Sequence, residues 1–366
     1  MPEETMEAVV LLGPDEYEFQ DDIPVPVIGP AEVLCRVGAV AICGTDISIM
    51  SGKFFPMWPP KWPYIIGHEW AGTVEAVGPG VTAFMPGDRV AGSSAVGCGH
   101  CRNCMKGRYN LCLNYGDMAA GHRQYGMTAP GAYAQYINAN VRSLVKLPDG
   151  FGMVAASLLD TAGIALHIAK QGNIEAGDTV VVIGPGAVGS IAYQCASALG
   201  AGRVIVVGRG SRLEKAKEFG YETVDVKAQD VMESVKEATC GVGPDVVLEC
   251  AGTAGTIVQA VEMIKKGGRV VVGGISQEDA PLPLRRFVLD EIEVVGSRAA
   301  PNCLPEVLSL TENGSLRLTE LVTHRFPLVD FSVAIGTFRN RTDGALKVVV
   351  EPNPNPASKE GCRVGS

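Results

Sequence analysis

The sequence predicts an α/β protein of two domains, one β-rich and irregular, the other a doubly wound parallel sheet. Three observations carry that expectation. The 366 residues and 38.4 kDa of the chain exceed what one hydrophobic core normally serves, so two cores are expected. From Val9 to about Leu147 the chain is rich in Gly, Pro and short β-branched runs such as EVLCRVGAVAIC, GTVEAVG and DRVAGSS, the marks of short strands joined by tight turns. Beyond Met153, near-continuous apolar runs alternate with helical patterns, as in strands buried on both faces and separated by helices.

Within that second region VAASLLDTAGIALHIAKQG reads as a helix and TVVVIG as the first strand. The strands RVIVVG, DVVLECAG and GGRVVVGGI follow, with SRLEKAKEFG and TAGTIVQAVEMIKKG as the helices between them. The alternation ends near Gly296, and THRFPLVDF and ALKVVVEP return to the style of the first domain. The expected division is therefore residues 1–159 with 300–366 for the β-rich domain and 160–299 for the parallel sheet. The tail EPNPNPASKEGCRVGS reads as loosely held. No internal repeat is visible.

Composition narrows the function classes. With Lys+Arg 31 against Asp+Glu 40, a net charge of -9, the chain offers no broad basic footprint, so nucleic acid and membrane surfaces are poor partners and a small molecule is the better one. The start MPEETMEAVV lacks the basic and apolar regions of a secretory signal, which points to the cytoplasm. The uncharged stretch Thr179 to Ala201 is broken by Gly184, Pro185, Gly186 and Gly189, so a strand, a glycine turn and a helix explain it better than a membrane span. Of the eleven cysteines four lie in one short cluster. In a cytoplasmic protein that favours metal over disulfides.

Gly184, Gly186 and Gly189 in VVVIGPGAVGS form GxGxxG between an apolar strand and the helix SIAYQCASALG. The first glycine permits the tight turn, the second admits a pyrophosphate to the backbone, and the third lets helix approach strand. The amides of Ala187, Val188 and Gly189 at the helix start would hold the phosphates. A lone GxGxxG is weak in a chain with 45 glycines, but its place at the head of an alternating β/α region makes it a dinucleotide site. An acid at the end of the second strand would mark NAD. Gly208 stands there instead, no Asp or Glu occurs between Gly189 and Glu214, and Arg209 and Arg212 follow. If the arginines are not merely solvated they suit a 2'-phosphate, which favours NADP. An acid introduced at 208 is then expected to reverse the preference.

Cys98, Cys101, Cys104 and Cys112 in CGHCRNCMKGRYNLC give two consecutive CxxC steps and a fourth thiol. Such turns converge thiolates on one ion, and four sulfurs close a tetrahedral zinc shell that holds a loop without performing chemistry. Free cysteines or an iron-sulfur cluster are the rival readings. A second set is dispersed: Cys43 in AICGTDIS, His68 and Glu69 in GHEWAG, and Asp160 in LLDTAGIALH. Singly each is weak, since a lone Cys or His is more often part of a core.

CGTD, GHEWAGTVEAVG, GDRV, the four-cysteine lobe and the later GxGxxG, in that order to about Pro352, resemble the zinc-containing medium-chain alcohol dehydrogenases. The resemblance implies a GroES-like catalytic domain formed by both termini around an inserted Rossmann domain, with two zinc ions per chain, one catalytic and one structural. It makes Cys43 and His68 catalytic zinc ligands and carries the third ligand position onto Asp160, seven residues before His167. Glu69 matches a carboxylate that ligates or exchanges at the zinc. Asp46 matches a carboxylate that orients the ligand histidine.

Three protein ligands would leave one position for the substrate oxygen, and zinc would lower the pKa of that hydroxyl so that an alkoxide forms and releases hydride to the nicotinamide. Thr45 matches the hydroxyl residue that accepts the alcohol proton. Where many relatives then have a histidine this chain has Ser48, so the onward route passes through Ser48, the ribose and water, or another group. Glu69, Asp160 and Arg298 in VVGSRAAPN resemble the sorbitol, threonine and secondary-alcohol branches more than the ethanol branch, which implies a polyol, sugar alcohol or other functionalised secondary alcohol. Read without the resemblance, Arg298 is a surface ion pair. Phe54, Phe55, Trp58 and Tyr115 are candidate pocket residues. A homodimer or homotetramer is implied, joined through the sheet edge around Leu284 to Val295. The competing readings are a zinc-independent medium-chain NADPH reductase, which the presence of Cys43, His68 and Asp160 disfavours, and a non-catalytic zinc-lobe binding protein, which the acidic balance disfavours.

Overall fold

The computed structural model describes residues 4–354. Most of the tail read as loosely held lies outside them. Two compact units divide the chain, Met1–Asp160 with Thr319–Ser366, and Thr161–Leu318.

The first unit opens with the antiparallel pair β1 (Thr5–Gly13) and β2 (Glu16–Pro24). There follow β3 (Glu32–Ala41), helix α1 (Gly44–Met50), β4 (Glu69–Val77), β5 (Arg89–Gly92) and the short strands β6 (Ala95–Val96), β7 (Arg123–Gln124), β8 (Tyr136–Asn140) and β9 (Leu144–Lys146). The segment expected as one helix is two, α2 (Met153–Ser157) and α3 (Leu159–Gln171), because Leu158 tightens into a turn with φ -89° and ψ -2°. Apolar periodicity runs through such a one-residue break unchanged, so the pattern alone cannot register it.

In the second unit strands and helices alternate: β10 (Thr179–Ile183), α4 (Ala187–Ala198), β11 (Arg203–Gly208), α5 (Ser211–Glu218), β12 (Glu222–Asp225), α6 (Val231–Ala238), β13 (Val246–Glu249), α7 (Ala254–Met263), β14 (Arg269–Val272), α8 (Leu284–Leu289), β15 (Glu293–Gly296) and α9 (Leu304–Glu312). The sheet is parallel throughout, in the order β12-β11-β10-β13-β14-β15. Its core joins Val181, Ile205, Val247 and Val270 from four adjacent strands with Val261 of α7. Residues 300–318 belong to this unit: a Cβ at Gly163 of α3 would stand 2.7 Å from Ala300 and 3.4 Å from Cys303.

The chain then returns to the first unit as β16 (Val322–Pro327), α10 (Phe331–Asn340) and β17 (Lys347–Glu351). There the sheet order is β16-β17-β3-β4-β5-β9, with β8 also on β3. β17 meets β3 antiparallel, Val349 opposite Ala41, so residues from the two ends of the sequence share one sheet. Trp70, Tyr133, Ile42, Ile49 and Ile66 fill its core. Among the described residues no helix is long and apolar enough to cross a membrane.

β3 and β4 approach so closely that a Cβ at Gly72 would overlap the carbonyl of Arg36. Gly72→Ala is therefore expected to destabilise this unit by about 1–3 kcal/mol through forced backbone displacement, measured by denaturant unfolding against a Gly336→Ala control in α10, where an added Cβ meets nothing within 4 Å and φ is ordinary.

Candidate metal and dinucleotide sites

β3 and β4 run antiparallel with Ala41 opposite Glu69. Cys43, two residues past the end of β3 and just before α1, is thereby brought to His68 and Glu69 at the start of β4. One ligand atom from each of the three lies within 4.8 Å of the others. Asp46, in the first turn of α1, is fully buried; its Oδ1 stands 3.2 Å from His68 Nδ1. Its Oδ2 accepts from the Cys43 amide at 2.9 Å and the Tyr133 hydroxyl at 2.8 Å. The carboxylate thus fixes the imidazole through Nδ1 and leaves Nε2 for another partner.

Burial works against a charged His68 ring, yet Asp46 and Cys43 beside it outweigh burial and hold its pKa well above the usual value. Burial also pushes Asp46 upward, but the His68 ring and the bonds from Cys43 and Tyr133 leave it below the ordinary carboxylate range. Thiol, imidazole and carboxylate together favour positive charge in this pocket, and as donors they suit zinc.

Asp160 stands outside the three-residue group. The Ser94 amide donates to its Oδ1 at 2.9 Å, and Oδ2 is buried without a hydrogen-bond partner among the described residues. Burial raises its pKa and nearby Glu69 adds to that, against the pull of His68. Lys347, the first residue of β17, was not anticipated from sequence. It is 2% exposed, donates to the Ile42 carbonyl at 3.0 Å and forms an ion pair with Glu69. A lysine in an apolar strand run read simply as a strand residue, and only the pairing of β17 with β3 reveals its partner.

Thr45 and Ser48 lie on α1 and are half-buried, with the Ser48 hydroxyl 3.5 Å from the Gly44 carbonyl. In the following loop Phe54 meets Trp58 edge-on at 4.9 Å and Phe55 stacks on Trp62 at 5.6 Å. Trp58 Nε1 donates to the Tyr115 hydroxyl at 2.6 Å, and Tyr115 donates in turn to Gln124.

Cys98, Cys101, Cys104 and Cys112 bring their four sulfurs within 4.8 Å of one another. The Cys101 amide donates to Cys98 Sγ at 3.4 Å, and the Cys104 and Leu113 amides donate to Cys101 Sγ at 3.5 Å. Those last two bonds bring the Cys101 thiol down to about 6, while burial pushes Cys104 up to about 12. Four crowded thiolates need a cation between them, and amide-to-sulfur bonds are how such a loop prepares for one.

In the second unit the glycine turn joins β10 to α4. Gly184 has φ +107°, closed to most side chains, and a Cβ at Gly189 would overlap the Gly184 carbonyl. Gly186 precedes α4 without a side-chain cap, so the first amides, those of Ala187, Val188 and Gly189, lack intrahelical acceptors and suit a pyrophosphate. A Cβ at Gly186 would stand 3.5 Å from Arg212 Nη1, which brings that guanidinium to the turn. Arg209 and Arg298 are exposed. Gly208 ends β11, and a Cβ there would overlap the ring of Pro185.

Residues 29–149 match the family description "Alcohol dehydrogenase GroES-like domain" and residues 187–313 match "Zinc-binding dehydrogenase". A sorbitol dehydrogenase of Bacillus subtilis strain 168 is 33% identical over 355 residues, 96% of this chain and 98% of that protein. An L-threonine 3-dehydrogenase of Anaeromyxobacter dehalogenans is 32% identical over 91% of this chain and 94% of its own length. Among solved structures, a putative zinc-binding dehydrogenase of Sinorhizobium meliloti 1021 bound to NADP superposes with a TM-score of 0.86 at 30% identity, covering 96% of this chain and 100% of that one. With a thiol-imidazole-carboxylate group in a GroES-like unit and a glycine turn heading a parallel sheet, the chain belongs to the zinc-binding medium-chain alcohol dehydrogenase family, and it is a zinc-dependent, NAD(P)-using oxidoreductase acting on the CH–OH group of alcohols.

Proposed function

We propose that this dehydrogenase acts on a polyol, sugar alcohol or similarly functionalised secondary alcohol, with one catalytic and one structural zinc ion per chain and NADP preferred to NAD. The observation that carries the reading is the convergence of Cys43, His68 and Glu69 from separate strand ends. The similarity to a sorbitol dehydrogenase along nearly the whole chain supports the substrate class. Cys43 and His68 hold the catalytic ion, with Glu69 and Asp160 as its exchangeable carboxylates, and the four-cysteine lobe holds the structural one. When bound, the ion acidifies a substrate hydroxyl and the nicotinamide takes the hydride.

The protein's own residues do the rest. Asp46, braced by Tyr133, keeps His68 in one orientation; Lys347 holds Glu69 by charge; Thr45 takes the alcohol proton and Ser48 stands one helical turn on. Phe54, Phe55, Trp58 and Tyr115 form a wall of the pocket. Arg212 and Arg209 serve a 2'-phosphate, and Arg298 serves cofactor and substrate. The sheet edge at β15, beside Leu284 (72% exposed) and Val288 (77%) of α8, supports a homodimer or homotetramer joined there. A reducing cytoplasm suits a lobe built from four free thiols.

Elemental analysis of purified enzyme should give two zinc ions per chain, one removed by chelator together with activity; a single retained ion in a fully active enzyme would refute the catalytic site. Cys43→Ser should abolish turnover with cofactor affinity kept, Asp46→Asn should lower activity or zinc affinity about 10–100-fold, and Cys101→Ser should lower the melting temperature. A spectrophotometric screen of polyols, hydroxy acids and hydroxy-amino acids with both cofactors tests the substrate class.

For proton release, Thr45→Ala should depress alcohol oxidation at every pH, while Ser48→His should shift the pH profile by adding a group that titrates near neutrality. An unaltered Thr45→Ala rate assigns the proton to another route.

The overlap between Pro185 and any side chain at 208 changes the expectation for cofactor reversal. Gly208→Asp alone should lower stability and weaken both cofactors, whereas Pro185→Ala with Gly208→Asp should admit the carboxylate and raise the NAD/NADP ratio of kcat/KM about tenfold or more. Arg212→Ala should weaken NADP more than NAD; equal losses would remove the arginine from 2'-phosphate recognition.

A further inference from the structure

Glu249 ends β13 and is fully buried. Its Oε1 alone accepts three bonds, from the Ala251 amide at 2.9 Å, the Gly252 amide at 2.8 Å and the Thr256 hydroxyl at 2.8 Å. Its main-chain carbonyl accepts from the Gly273 and Gly274 amides at 2.9 and 3.1 Å. Oε2 is buried with no hydrogen-bond partner among the described residues. A buried carboxylate is costly unless it is well bonded, and here two side-chain bonds come from the turn after β13 and the third from Thr256 in the first turn of α7.

The position of those turns gives the brace a use. In the order β12-β11-β10-β13-β14-β15 the sequence of strands reverses between β10 and β13, and at such a switch point a dinucleotide lies across the carboxyl ends of the strands, one mononucleotide half on each side. The glycine turn and Gly208 belong to the β10–β12 side, which receives the adenosine half. The turns 250–253 and 273–275 belong to the other side. They are packed against each other, since a Cβ at Gly252 would stand 3.0 Å from the Ile275 amide and one at Gly274 would stand 2.9 Å from Glu249 Oε2. They also meet the glycine turn, since a Cβ at Gly184 would stand 3.0 Å from the Ala251 amide.

We propose that Glu249 is a positioning residue for the nicotinamide half of the cofactor: by pinning the turn after β13, against which the turn after β14 is packed, to the start of α7, its side chain fixes the floor on which that half rests. The inference rests on the dinucleotide reading of this unit. It has no bearing on the adenosine half, and that asymmetry is its signature.

Calorimetric titration of the zinc-loaded enzyme with NADPH and NADH, and with adenosine 2',5'-bisphosphate and ADP as adenosine-side fragments, tests it. Glu249→Ala should raise the Kd of the preferred dinucleotide about tenfold and leave the fragments within about twofold. Glu249→Gln, which keeps the Oε1 acceptor, should restore dinucleotide binding, and Thr256→Val should weaken it about threefold through one lost bond. If Glu249→Ala does not fold, Thr256→Val and Glu249→Gln carry the same comparison. Equal weakening of fragments and dinucleotide, an unaltered dinucleotide Kd, or Glu249→Gln as weak as the alanine variant would each overturn the role. Wild-type enzyme that binds neither dinucleotide nor fragment would instead overturn the dinucleotide reading itself.

Discussion

Antiparallel pairing of β3 with β4 sets where the candidate zinc ligands stand. Ala41 faces Glu69 in that register, so Cys43 and His68, 25 positions apart in sequence, end side by side. A slip of one residue would turn His68 and Glu69 to opposite faces of the sheet from those they now occupy. The register is held from both sides, by the close backbone approach at Gly72 and by β17, whose Val349 pairs with the same Ala41. That same β17 therefore also delivers Lys347 to Glu69.

That ion pair bears on how the site works. Two buried charges seldom repay their desolvation through mutual attraction alone, so a pair such as Glu69–Lys347 is poor support for stability as its purpose. Its location gives a better reason. Glu69 is shared between the donor group and the lysine, and Asp160 holds the Ser94 amide with one oxygen while its other has no hydrogen-bond partner among the described residues. Each carboxylate has a resting partner other than a metal, as the proposed exchange at a catalytic ion requires. The cysteine lobe differs: its sulfurs are held by one another's neighbouring amides, an arrangement suited to a closed shell.

Much of this was legible in the sequence because the relevant signals are local. CxxC steps converge whatever surrounds them, and three glycines between an apolar run and a helix pattern have few other uses. Alternating strands and helices likewise read directly as the parallel sheet. What could not be read depends on pairings across long separations: Lys347 with Glu69, Tyr133 with Asp46, and Pro185 against Gly208. Gly208 shows the limit well, since the missing acid was visible while its steric cause lay 23 positions away in the glycine turn. The break at Leu158 escaped for a different reason, because apolar spacing continues through it.

Glu249 belongs to the same class of hidden residues, and its case shows how the sheet and the turns divide their labour. DVVLECAG reads as a buried strand, and an acid near its end attracts no notice in a sequence that contains 40 of them. Strand order alone locates the crevice, because parallel strands with a reversal in their sequence leave a gap at the carboxyl ends. Yet strands cannot shape its floor; turns do, and turns of glycine and small residues have little side-chain packing to hold them. Hydrogen bonds must supply the rigidity instead, and a carboxylate offers more acceptor sites than any neutral side chain of its size. Glu249 places that acceptor where β13 ends, so one buried side chain holds the turn after β13 to the start of α7 beside the proposed crevice.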